Sequence, residues 1–390
     1  AVGALALALA GPSDAVAVAV GFGLVGMGSS LQLAVQPVAK LFPYNRSLVT
    51  GLLSVAFQAS GGVLLLLGAI ADGRESAHYR RALLGAYASV AAAVALVAAV
   101  LLPAGIDFAE VLTEKELDGP AGGAAPAPKA TTPPSSRSPS LPPPLPPPPL
   151  EGLPFRAQLC SREYIYLTLW FSAVVVAIQY YVVSVGPQLE AVFDAESDDE
   201  SDDSIDGGGN MSRGQRLTRW YSLCYFLVCP TAGISGWMCD RLGFGPVLLA
   251  NTSLVAASFL CLSSDRTVVQ VLGFIIYCTG RLSIYATFFA HLNSRVGFEY
   301  YGTLAGLALL VSSLCALSIY PLLDWGLARG FGHPNALMGA IAALALPYGA
   351  RVALTERRER NARLRCAGGD VCCDDDRADS HGVGKVSNVL

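Results

Sequence analysis

Apolar runs of about 20 residues, long enough for a helix to cross the hydrocarbon layer of a bilayer, recur along this chain and leave it few ways to fold. Nine are found after a short apolar opening, with approximate limits 14–36, 47–70, 81–102, 162–188, 218–238, 245–263, 267–292, 302–323 and 334–353. Inside lipid no water satisfies the peptide groups, so such segments fold as helices that bond their own backbone. The expected fold is therefore an all-α polytopic membrane protein with about nine complete transmembrane helices plus a partial one. Composition agrees: 53% of the residues are apolar, only 14% are charged and the mean hydropathy is +0.48, which excludes an ordinary soluble domain. The opening residues 1–10 are too few to span and lack the basic leader of a signal peptide. They read as the end of a helix whose start is missing, making the chain a fragment. Its expected location is integral and multi-pass, in the plasma membrane or an endomembrane.

Between the third and fourth runs the character changes. Residues 103–158 pass through Ala, Gly and Ser into a proline tract at 141–150, the composition of a partly polyproline II linker with no core to pack. It separates residues 1–102, the remainder of an N-terminal helix bundle, from 159–354, a C-terminal six-helix bundle followed by a tail at 355–390. If the halves are built alike, the first lacks about two and a half spans.

Lys and Arg set the orientation. The side holding linker and tail carries Lys40, Arg46, Arg156, Arg162, Arg241, Arg295 and the cluster Arg357, Arg358, Arg360, Arg363 and Arg365. The other side carries Arg74, Arg80, Arg81, Arg213, Arg216, Arg219, Arg266 and Arg329. Linker and tail are thus expected in the cytosol. On the opposite side an acidic run at 194–206 leads to Asn210-Met211-Ser212, a glycosylation sequon. Asn45-Arg46-Ser47 fits the same pattern but falls in the cytosol, so Asn210 is the expected glycan site. Of ten cysteines, Cys366, Cys372 and Cys373 lie in the tail and the rest in or beside apolar runs. None falls outside the cell, and no disulfide framework is implied.

Charge is scarce inside the runs, which makes Arg281 informative. An Arg near the middle of a span costs roughly 2.5 to 3.5 kcal/mol on insertion scales, and no Asp or Glu lies deep in any of the nine runs to offset it. It must face a cavity or a partner, and its fork suits the carboxylate of a solute as well as a gate between helices. Tyr277 and Tyr285 lie four residues either side and so share its face, as cavity lining or as packing. Gln58, Gln179 and Tyr180 add polar groups to other runs. A second feature lies between the fifth and sixth runs, where Gly236 leads to Asp240, Arg241 and Gly243. So short a polar link makes an antiparallel helix hairpin with its turn at the membrane surface. An Asp there can accept from the free N–H groups of a neighbouring helix, and the Arg can tie the pair to a third. No metal spacing, nucleophile elbow, phosphate loop or basic–aromatic patch occurs. The expectation is no enzyme, no catalytic residue, no metal, no cofactor and no nucleic acid, with a small solute and the lipid bilayer as partners. The proline tract offers a further partner of the SH3 type, or is a spacer.

The glycine–aspartate–arginine–glycine pattern at 236, 240, 241 and 243 resembles the loop motif of the major facilitator superfamily, with Phe244 and Gly245 in place of its usual basic pair. Within it the chain resembles solute carrier family 43, transporters of large neutral amino acids, and its fungal and protist relatives. The stretches that carry this are 41–49 running into 56–60, 159–163 leading to 169–172, Tyr277 through Arg281 to Tyr285, and 298–306 with 318–321. The resemblance implies a two-bundle fold and facilitated transport of a neutral amino acid by alternating access. It places Gln58, Gln179, Tyr180 and Arg281 near the central cavity and makes Gly236, Asp240, Arg241 and Gly243 a conformational latch. A carrier of small organic anions, suggested by the unpaired Arg281, and a non-transporting nutrient sensor or scaffold are the alternatives.

Overall fold

The computed structural model describes residues 2–9, 14–29, 35–42, 45–71, 77–101, 150, 152–193, 212–264, 266–296 and 299–367. Among them there is no strand. The helices are α1 (Val2–Leu9), α2 (Ala15–Ser29), a 3₁₀ turn (Gln36–Leu41), α3 (Arg46–Ala71), α4 (Ala77–Leu101), α5 (Phe155–Leu159) and α6 (Arg162–Phe193). Then follow α7 (Arg213–Leu227), α8 (Pro230–Leu242), α9 (Phe244–Leu262), α10 (Thr267–Val296), α11 (Tyr301–Ala316), α12 (Ile319–Arg329), α13 (Gly332–Leu344) and α14 (Leu346–Ala367). The acidic run, Asn210, most of the linker, and Cys372 and Cys373 lie outside the described residues.

Contacts divide the chain into two compact units, residues 1–31 with 63–146 and residues 32–62 with 147–390. In the first, α1 packs on α2 and on α4. In the second, α6, α9, α10, the joined pair α11–α12 and the joined pair α13–α14 are each long and apolar enough to cross a membrane. Taken as one span, the bent pair α7–α8 makes a sixth. Of the earlier runs only a shorter apolar stretch, Arg81–Val94, is recorded among the described residues, so the expected total of nine is not established.

Three of these six spans are broken, and each break precedes a proline, which lacks the N–H that would continue the ladder. Pro230 follows a turn at Val228 and Cys229 and a bend of 41° between α7 and α8. Pro321 follows the turn at Leu317 and Ser318, and Pro347 follows the break at Ala345, whose N–H bonds back to the Ala342 carbonyl at 3.2 Å. Helix ends are marked by residues suited to them. Ser212 caps α7 by accepting from the Gln215 N–H at 3.1 Å. Gly243 joins α8 to α9 at φ +97°, a conformation that a side chain would strain.

The core of this unit is aromatic. Phe171 of α6 stacks on Phe288 of α10 with ring centroids 3.7 Å apart, and Tyr181, Tyr221, Phe259 and Tyr277 meet edge to face or tilted. Hydrogen bonds between helices satisfy part of the buried polar groups. Asn251 donates to Ser235 and Thr287, both at 2.9 Å, joining α9 to α8 and α10. Trp170 donates to Thr252 at 3.2 Å and Tyr164 to the Leu304 carbonyl at 2.9 Å. Such bonds average about 0.6 kcal/mol each in lipid, so they fix which faces meet more than they stabilise. Leu260 and Leu344, each 80% exposed, lie on the outside, where a bilayer rather than water is the solvent.

Candidate functional site

Arg281 sits midway along α10 and is partly buried. Helical spacing stations Tyr277 and Tyr285 one turn to either side, and α7 brings Tyr221 and Tyr225, themselves one turn apart, against the same guanidinium. The Arg281 Cζ lies 5.0 Å from the centre of the Tyr225 ring, a cation–π contact. Among the described residues no carboxylate pairs with Arg281; the ion pairs there are those of Arg295. Tyrosine rings and hydroxyl oxygens supply electron density but no neutralising charge, so the cation retains a capacity for an anion. The pair Tyr221 and Tyr225 went unremarked in the sequence reading, although its spacing of four repeats that of the tyrosines about Arg281.

The two glutamines reach the same neighbourhood. Gln58 of α3 donates to the carbonyl of Leu282, beside Arg281, at 3.5 Å, and Gln179 of α6 donates to the Tyr285 hydroxyl at 3.4 Å. Both bonds are long and correspondingly weak, so either amide is free to exchange its partner for a ligand. Tyr277 is differently placed: its ring is fully buried 4.8 Å from that of Tyr181, and its hydroxyl donates to the Ile178 carbonyl. That contact ties α10 to α6. Tyr180 is buried, its hydroxyl meets no hydrogen-bond partner among the described residues, and none of the described interactions joins it to Arg281. The structure thus gathers Arg281, Tyr285, Tyr277, Gln179 and Gln58, with the Tyr277 hydroxyl turned to α6, and leaves Tyr180 apart.

The Gly236–Gly243 segment forms the last turns of α8 and the link to α9. Asp240 Oδ1 accepts from the Ser47 N–H at 3.1 Å and Oδ2 from the Leu48 N–H at 2.9 Å. These are N–H groups of the first turn of α3, which no carbonyl of that helix can reach, and the positive end of its dipole favours the carboxylate. Close approach makes this possible, for a β-carbon at Gly236 would collide with the Ser47 carbonyl. Arg241 turns back over Trp237 of its own helix, its Cζ 5.9 Å from the ring centre. A second carboxylate of the same kind was not singled out in the sequence. Glu356 of α14 accepts from the Phe244 N–H at 2.9 Å and the Gly245 N–H at 3.0 Å, at the start of α9.

With this geometry in view, residues 1–320 match the Major Facilitator Superfamily. The chain belongs to that superfamily of membrane transporters of small solutes, and is an integral multi-pass membrane protein. No curated protein and no solved structure matches it significantly.

Proposed function

We propose that the protein carries neutral amino acids by alternating access, in a two-bundle arrangement of about nine spans plus a partial one, and that Arg281 receives the substrate carboxylate. The observation that carries this reading is the cation itself, held mid-span among four tyrosines with no carboxylate partner among the described residues. Tyr285 and Gln179 orient the solute beside it, and Gln58 offers an amide carbonyl to the ammonium group. A carboxylate without an amine satisfies Arg281 equally, so a carrier of small organic anions is the second reading.

Uptake into vesicles separates the two. Leucine and lactate entry are compared for the wild type, Arg281→Lys and Arg281→Ala. Hydrogen bonds to a charged group contribute about 1.5 to 3 kcal/mol, so Arg281→Ala should raise the half-saturating leucine concentration tenfold or more, with Arg281→Lys between. Leucine flux untouched by Arg281→Ala would remove that residue from substrate handling. Lactate carried in preference to leucine would establish the second reading, and no flux of any solute would leave the sensor.

A further inference from the structure

The break at Pro347 does more than bend a span. Before it, α13 packs against both α6 and α9; after it, α14 packs chiefly on α9 and meets α6 mainly through Tyr348 on Trp170 and Arg351 on Tyr166. Gly245 and Gly349 let the α9 and α14 backbones meet where any β-carbon would collide, with Ala353 in one case and Leu249 in the other. Drawn toward α9, α14 opens a groove of about 460 Å³ against α6, lined by Tyr166, Leu169, Trp170, Ala173, Leu344 and Arg351 among others. It runs from Leu344 to Arg351, about 10 Å along the helix axis, and Leu169 and Leu344 at its sides are 58% and 80% exposed.

One end of the groove is apolar and the other is not. Arg351 lies over the Tyr166 ring, 4.6 Å from its centre, with no carboxylate partner among the described residues. Tyr166, Tyr348 and Arg351 also border a polar recess of about 160 Å³ that contains Arg295, Glu163 and His291. His291 is buried with Nδ1 unpartnered, its Nε2 lying 3.2 Å from the Tyr348 hydroxyl. Arg295 is held only loosely, 3.9 Å from Glu163 and 4.0 Å from Glu359. Beyond the recess, residues 351–360 carry four arginines against two glutamates, and Glu356 is committed to α9.

We propose that this groove and recess bind an anionic phospholipid, with one acyl chain along α6 and the phosphate between Arg351 and Arg295. The groove lies on a membrane-spanning element, so lipid is the apolar phase that meets it, and its long axis follows the spans as an acyl chain does. Both glutamates near the recess, Glu163 and Glu359, lie at long range on Arg295, which leaves the guanidinium of Arg351 to fork onto phosphate oxygens.

Trp170 in the groove wall provides the measurement. With Trp220, Trp237 and Trp325 replaced by Phe, Trp170 fluorescence is followed in phosphatidylcholine vesicles doped with acyl-brominated phosphatidylglycerol or acyl-brominated phosphatidylcholine. One basic residue at an anionic surface is worth about 1 kcal/mol, so the anionic lipid should quench at about fivefold lower mole fraction. Arg351→Gln should abolish that preference, and Ala173→Phe, which fills the groove without changing charge, should abolish quenching by both lipids. Retention of phosphatidylglycerol over phosphatidylcholine by the wild-type protein in native mass spectrometry repeats the comparison without the tryptophan replacements. Equal quenching by the two headgroups would overturn the proposal. So would a preference that survives both variants, which belongs to the diffuse charge of the tail, or an absence of quenching by either lipid, which means that another helix or a second copy of the chain covers the groove.

Discussion

Asp240 and Glu356 perform the same chemistry at two helix junctions, and their surroundings differ in a way that separates a movable contact from a fixed one. Each carboxylate takes two backbone N–H groups from the first turn of another helix, Asp240 from α3 and Glu356 from α9. Each junction relies on a glycine that lets backbones touch, Gly236 against Ser47 and Gly245 against Ala353. Asp240 is exposed, however, whereas Glu356 is partly buried. Glu356 also closes a junction that α9 and α14 reinforce along much of their length, and Asp240 joins segments far apart in the chain. Both seams are close-packed, at Gly51 and Gly236 in one and Gly245 and Gly349 in the other, but water reaches the exposed Asp240 more readily than the partly buried Glu356. We propose that the first contact is a latch that opens during transport and the second a permanent brace.

The glycines give the largest expected effect. Gly245→Val drives a β-carbon into the Ala353 backbone, and overpacking of this kind costs about 1 to 3 kcal/mol or more. The unfolding midpoint in detergent should fall sharply and the yield of monodisperse protein with it. Gly236→Val meets an equally hard obstacle at Ser47, but at the more exposed carboxylate, so it should abolish uptake while lowering the midpoint less than Gly245→Val does. Equal loss of stability in the two variants would erase the distinction between brace and latch.

The carboxylates come next. Hydrogen bonds to charged groups contribute about 1.5 to 3 kcal/mol, and an exposed site recovers much of that from water. Glu356→Gln should therefore lower stability more than Asp240→Asn does. Asp240→Asn should slow transport while substrate binding, measured by thermal shift with the transported amino acid, is retained. Lost binding in a folded Asp240→Asn protein would make Asp240 part of the solute site.

The contrast also shows where sequence alone was informative. The apolar runs foretold the long apolar helices of the second unit because a bilayer dictates their length, and Arg281 stood out because charge is so costly there. The hairpin at 236–243 was legible as local spacing, two glycines around an Asp–Arg pair. Glu356 was not, since it stands more than a hundred residues from the N–H groups it caps and amid the charges of 356–360, where one more glutamate carries no signal. Arg351 was not singled out, although Pro347 and Gly349 just before it set both the break and the close approach that leave it over Tyr166. Tyr277 was grouped with Arg281 by spacing alone. Its hydroxyl bond to Ile178 comes from α6, nearly a hundred positions away.

Arg241 gives the smallest effect and the finest test of what the latch consists of. The side chain is exposed, and its one described contact, with Trp237, lies within its own helix. An exposed cation–π pair contributes about 0.5 to 1 kcal/mol, and losing it leaves both Asp240 hydrogen bonds intact. If the junction is held by the carboxylate alone, Arg241→Gln should lower stability by no more than about 1 kcal/mol and leave the uptake rate within twofold of wild type. If Arg241 reaches a partner in another transport state, Arg241→Gln should slow uptake as much as Asp240→Asn does, with no added loss in the double variant. Coupling of that kind would make the Asp–Arg pair a single device with two alternating sets of contacts, and its absence would leave Asp240 as the whole of the latch.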